Sequence, residues 1–126
     1  GETCVDKFVY CDAKRLSPEA PVPVLNPIKS VDNPGMAGNT YENVKALAPE
    51  AIMASITQKS KITKTRYVEE KSNHMFLRVD EGEKFDCQFQ WGMFADSSIA
   101  EADVVIVSDY NKGFLTNANM IIATQI

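Results

Sequence analysis

The run Ala102 to Thr116, ADVVIVSDYNKGFLT, most constrains what this chain can become. Asp103 to Val107 is almost wholly apolar and β-branched, the pattern of a strand buried on both faces. Ser108 to Gly113 then turns polar, and Thr116 can cap a helix starting near Asn117. Strand, polar loop and helix start describe the carboxyl end of a parallel strand, where open α/β sheets hold their ligands. Asp109 and Lys112 would sit at that mouth, or else be solvated turn residues.

At 126 residues there is room for one domain with a modest core. Apolar residues make up 44% and charged residues 24%, as in soluble globular proteins. The net charge of −4 argues against a nucleic-acid surface, which needs clustered cations, but leaves room for a small anion held by a few Lys and Arg. No apolar run approaches a membrane span and no leader peptide is visible. The three cysteines, Cys4, Cys11 and Cys87, form no close pair of the zinc type. They fit free thiols in a reducing cytoplasm.

Along the chain, Gly1 to Tyr10 reads as a strand end, a turn and a new strand from about Lys7. Pro21 and Pro23 alternate with Val22 and Val24, a pattern open only to an edge strand. Phe8 to Cys11 with Pro21 to Asp32 would make a small antiparallel flap. Phe8, Tyr10, Val22, Val24 and Ile28 would lie on one apolar face of it.

Asn33 to Asn39 is a glycine-bearing break, with Gly35 and Gly38 admitting close approach to a ligand or to a neighbouring element. Ala37, Tyr41, Val44 and Ala48 then share one helical face, and Pro49 ends the helix. Ala51 to Ile56 is a plausible short strand. Ile62 to Glu69 and His74 to Asp80 form a hairpin turning at Lys71-Ser72-Asn73. Strict alternation puts His74, Phe76, Arg78 and Asp80 on one face of its second arm. Phe85 to Ala100 holds a short strand or loop and one helix. Gly1 at one end and an apolar helical pattern running into Ile126 at the other are the ends expected of a fragment.

Several of these stretches, in order, resemble the ribokinase-like (PfkB) carbohydrate kinases. Within that family the stretches look most like the bacterial heptose 7-phosphate kinases, including the kinase half of bifunctional heptose kinase/adenylyltransferases. GETCVDKFVY with RLSPEAPVPVL resembles that branch's first strand and lid. NPGMAGNTYENVKAL resembles its Pro-Gly-Gly-Ala-Ala-Asn-Val-Ala segment, with Met36 in place of the second glycine. TKTRYV with FLRVD resembles the next hairpin, and SDYNKGFLT its Ser-Asp-Tyr-x-Lys-Gly loop. The chain is shorter than bacterial relatives between Leu47 and Ile62, as in compact phage-encoded variants.

The resemblance implies an α/β, three-layer α/β/α sheet with a small antiparallel lid. The lid would span residues 7–32, a sugar-binding segment 33–47, the hairpin 62–80 and a strand–loop–helix 102–126. It implies an ATP- and Mg²⁺-dependent cytoplasmic sugar kinase supplying a lipopolysaccharide precursor, dimeric through its lid strands. Asp6 and Asn39 would meet sugar hydroxyls, and Gly35 would let the backbone approach the sugar. Lys64, Arg66 and Arg78 would be the cations for a sugar's phosphate, although Arg78 could instead pair with Asp80. Asp109 and Lys112 would lie near the sugar and the nucleotide phosphates. The family's Gly-Ala-Gly-Asp motif, carrying the catalytic base, is expected beyond Ile126. The competing readings are a non-catalytic sugar-binding remnant and an oligomerising module of a nucleotide-sugar biosynthesis protein.

Overall fold

A computed structural model of the chain describes residues 1–84 and 88–123, with the backbone alone for 93–96 and 123. Cys87 lies outside the described residues. The elements run β1 (Thr3–Asp12), β2 (Asn26–Met36), α1 (Ala37–Leu47), β3 (Thr63–Glu69), β4 (Met75–Glu81), α2 (Met93–Ala100) and α3 (Asn117–Ala123). The strands form one mixed sheet in the order β2-β1-β3-β4. β1 pairs antiparallel with β2 and parallel with β3, and β3 pairs antiparallel with β4. The fold is therefore α/β. Of the helices, α1 alone lies against strands among the described residues, packing on β1 and β2.

Four local expectations are corrected. β1 is one unbroken strand from Thr3, not a strand end and a restart at Lys7. Its internal charge is tolerated because Asp6 finds a partner across the ladder. Asn33-Pro34-Gly35 is no break either: it pairs with Asp6, Val5 and Cys4 as the end of β2. Pro27 and Pro34 fit there because β2 is an edge strand, where a missing N–H disrupts least. Residues 51–56 form no strand, and the segment is tied down by Gln58, whose amide bonds both backbone groups of Thr3 at 2.9 and 2.6 Å. Pro21 to Val24 contributes only an isolated Leu16–Pro23 bridge, since two prolines remove the donors a ladder needs.

The largest correction concerns Asp103 to Val107, which makes no strand in the described structure. Val104, Val105, Ile106 and Val107 are 75%, 43%, 54% and 42% exposed. A strand buried on both faces needs neighbours on both edges, and among the described residues no segment pairs with this one. Asp109 and Lys112 are thus not at a strand mouth.

The flap face is also redistributed. Tyr10 faces Lys29 and Cys11 faces Pro27, so a bulge in β2 takes up Ile28. Ile28 then borders a shallow hollow with Lys7 and Val9, on the opposite side of the sheet from Phe8.

Candidate functional site

The sheet register assembles the site. Strand side chains alternate between faces, and paired residues share one. Asp6 is paired with Asn33 and Lys64, Lys64 with Asp80, Phe8 with Arg66, and Arg66 with Arg78. Residues far apart in sequence therefore meet on one face.

There they border a cavity of about 570 Å³, which Asn39 in the first turn of α1 and Tyr110 also line. That volume is typical of small-molecule sites. Lys64, Arg66 and Arg78 bring three cations to the wall, and Asp6 one carboxylate.

The electrostatics follow from close pairs. Arg66 Nη1 donates to Asp6 Oδ1 at 2.6 Å, and its guanidinium lies 5.1 Å from the Phe8 ring centroid. Arg78 forks onto both Asp80 oxygens at 2.6 Å, and this hydrogen bonding holds the Asp80 carboxyl below its ordinary value. The Arg78–Asp80 pairing anticipated from the alternation is present, and Arg78 nonetheless borders the cavity. Lys64 Nζ and Lys112 Nζ both face Glu83 Oε1, at 3.7 and 2.8 Å. Lys112 lowers the Glu83 carboxyl below its usual range.

Gly35 contributes by lacking a side chain. A β-carbon there would fall 2.6 Å from Cys4 Sγ and closer still to Asp6 Oδ2. Met36, beside it, has φ 57° and ψ −131°, backbone that a glycine adopts without strain. It is held by burial with Cys4 and Ile62. The cavity wall therefore carries a strained non-glycine residue of the kind concentrated at functional sites.

Asp109 and Lys112 do not border the cavity. Asp109 Oδ1 accepts from the Asn111 amide at 2.8 Å, an Asx turn, and Lys112 reaches Lys64 only through Glu83.

Glu2 carries a role that its sequence position did not signal. It has no solvent exposure. Its carboxylate accepts the amides of Tyr110 at 2.9 Å and of Lys112 and Phe114 at 3.2 Å. Desolvation pushes its pKa up, but the backbone donors outweigh this and leave it below the ordinary glutamate value. Its carbonyl accepts the first amide of α1, Ala37 N, at 2.8 Å. One residue thus joins β1, the helix start and the loop after Ser108. An acidic residue at the head of a strand looks like a solvated end, and only the fold reveals three donors aimed at it.

No family model matches the chain. Among curated proteins it is similar to the bifunctional protein HldE of Chromohalobacter salexigens, 32% identical over 98% of this chain and 32% of the relative. Proteins of the same name match from Caulobacter vibrioides, 31% identical over 94% of this chain and 30% of the relative, and from Campylobacter jejuni, 31% over 92% and 30%. The first alignment takes 155 positions to cover a chain of 126 residues, so gaps separate the two. The chain spans about a third of the length of the curated relatives it matches. Over nearly its whole length, the chain is homologous to the bifunctional HldE proteins.

Proposed function

We propose that this chain supplies the sugar-phosphate-binding part of an ATP-dependent carbohydrate kinase acting on a heptose 7-phosphate or a similar sugar. The observation that carries the reading is that Asp6, Asn39, Lys64, Arg66 and Arg78 border one cavity. A carboxylate and an amide can orient hydroxyls, and an Arg–Lys cluster can hold a phosphate. Each wall cation already faces a carboxylate, Lys64 that of Glu83, Arg66 that of Asp6 and Arg78 that of Asp80, so an anionic sugar binds in this reading by exchanging those contacts.

The chemistry of phosphoryl transfer is mostly positioning and charge neutralisation. In this reading Asp6 and Asn39 fix the sugar ring. Arg66 exchanges part of its contact with Asp6 for the substrate's phosphate, and Lys64 adds a second charge. Gly35 leaves Asp6 the room to do so. Lys112 and Asp109 act from the adjoining loop. ATP brings Mg²⁺ largely through its own phosphates. Among the described residues no group of three or more His, Cys, Asp or Glu is placed to hold a metal, and no side chain is assigned to it. The same reading gives the lid strands a second role as a clasp between two copies, in an enzyme serving lipopolysaccharide precursor supply.

An amide-resolved NMR titration with heptose 7-phosphate tests the assignment. Shifts concentrated at Asp6, Asn39, Lys64 and Arg66 are expected. Shifts confined to the opposite face, at Lys7 and Val9, would overturn it.

A further inference from the structure

The loop from Asp109 to Phe114 has little secondary structure to hold it. Asn111 and Gly113 take positive φ values of 54° and 95°. Phe114 is buried, and its carbonyl accepts the Phe89 amide at 2.7 Å with the two rings 5.8 Å apart. The other anchor is Glu2. Three amides converge on its carboxylate from alternate residues, Tyr110, Lys112 and Phe114. Such convergence of backbone donors is an anion nest, here filled by a side chain from the far end of the chain.

Two of the loop's side chains bear on the cavity. Tyr110 is part of its wall, and Lys112 shares Glu83 with the wall residue Lys64. Lys64 is only 12% exposed, so a displaced Lys112 would change the charge around a nearly buried cation.

We propose that Glu2 is a positioning residue for the bound sugar phosphate: its carboxylate sets the Asp109–Phe114 loop so that Tyr110 lines the cavity and Lys112 neutralises Glu83 beside Lys64. This rests on the reading of the cavity as a sugar-phosphate site. Glu2 touches no ligand in this scheme and acts only through the loop amides. A neutral amide at this position would keep the volume but turn one acceptor into a donor facing an N–H group.

The test compares wild type, Glu2→Gln and Glu2→Asp in the same chain. Amide hydrogen exchange is read residue by residue, and affinity is measured with heptose 7-phosphate as probe. In Glu2→Gln, exchange at Tyr110, Lys112 and Phe114 should accelerate about tenfold or more while β1 to β4 keep their protection. Affinity should fall by about tenfold or more. Glu2→Asp keeps the charge and should recover much of both.

Loss of protection across the whole sheet would make Glu2 a residue of the fold and overturn the proposal. So would a loosened loop with unchanged affinity, or no change in either. Failure of wild type to bind the probe would refute the sugar-phosphate reading itself. The exchange data would then still decide whether Glu2 sets the loop.

Discussion

Gly35→Ala and Gly38→Ala are two additions of one methyl group, three residues apart, with opposite expected outcomes. At Gly35 the new β-carbon would lie 2.6 Å from Cys4 Sγ and closer to Asp6 Oδ2, well inside van der Waals contact. Cys4 is buried and cannot retreat easily, so Asp6 must move. Overpacking of this kind costs about 1–3 kcal/mol. Displacing Asp6 also breaks the Arg66 pair, whose side chains are 22% and 26% exposed, adding no more than about 1 kcal/mol after solvent screening. The expected loss is about 1–4 kcal/mol in urea unfolding, together with weaker binding of heptose 7-phosphate. At Gly38 the new carbon would meet Pro34 Cβ at 3.3 Å and Thr3 Cγ2 at 3.8 Å. Gly38 lies within α1, where alanine gains up to about 1 kcal/mol over glycine. Gly38→Ala should therefore unfold within about 0.5 kcal/mol of wild type or be more stable. Equal stabilities for the two variants would refute the claim that Gly35 is kept small by the Asp6 carboxylate.

Three further outcomes follow from the structure. Because the folded-state pKa of Glu2 is depressed, its contribution is present above the ordinary value of 4.5 and is lost as pH falls through the lower folded value. Wild type should lose loop protection in that acid window, whereas Glu2→Gln should show no such pH-dependent step at Tyr110. Thr116 Oγ1 accepts the Asn119 amide at 3.2 Å while Asn119 Oδ1 accepts the Thr116 amide at 2.9 Å, so Thr116→Ala should cost α3 about 1 kcal/mol, read as faster exchange at Asn119 and Met120. Val22→Asp with Val24→Asp should halve the mass in sedimentation equilibrium if the lid clasps two copies, and an unchanged mass would remove the lid from that role.

The parts of the fold legible in the sequence are those whose signals are local. Alternation located the Thr63–Glu81 hairpin, and the turn at Lys71 to Asn73 appears where expected, with Glu69 Oε2 accepting the Lys71 and Ser72 amides at 2.9 and 2.6 Å. The 3.6-residue pattern located α1, and Thr116 does cap α3. Asp103 to Val107 failed because β-branched residues state a preference for a ladder and cannot supply a neighbour. Asn33 to Met36 was misread because glycine and proline break central strands, yet edge strands tolerate them.

The cavity was legible in its ingredients. Asp6, Asn39, Lys64, Arg66 and Arg78 all border it, though only pairing of β1 with β3 could bring Asp6 to Arg66. Asp109 and Lys112 stand one step back from the cavity, and nothing local told which groups Glu2 would hold. A carboxylate caged by amides contributed more than 100 residues later is a property of tertiary structure, as the 112-residue separation of its Phe114 contact shows.

The most direct measurement is a pair of calorimetric titrations of the chain, one with heptose 7-phosphate and one with the phosphate-free heptose, repeated on Arg66→Ala. Wild type should bind the phosphorylated sugar at least about tenfold more tightly than the free sugar, and Arg66→Ala should erase most of that difference. Equal affinity for the two sugars, or a preference for phosphate that survives in Arg66→Ala, would contradict the assignment of this face as a sugar-phosphate site.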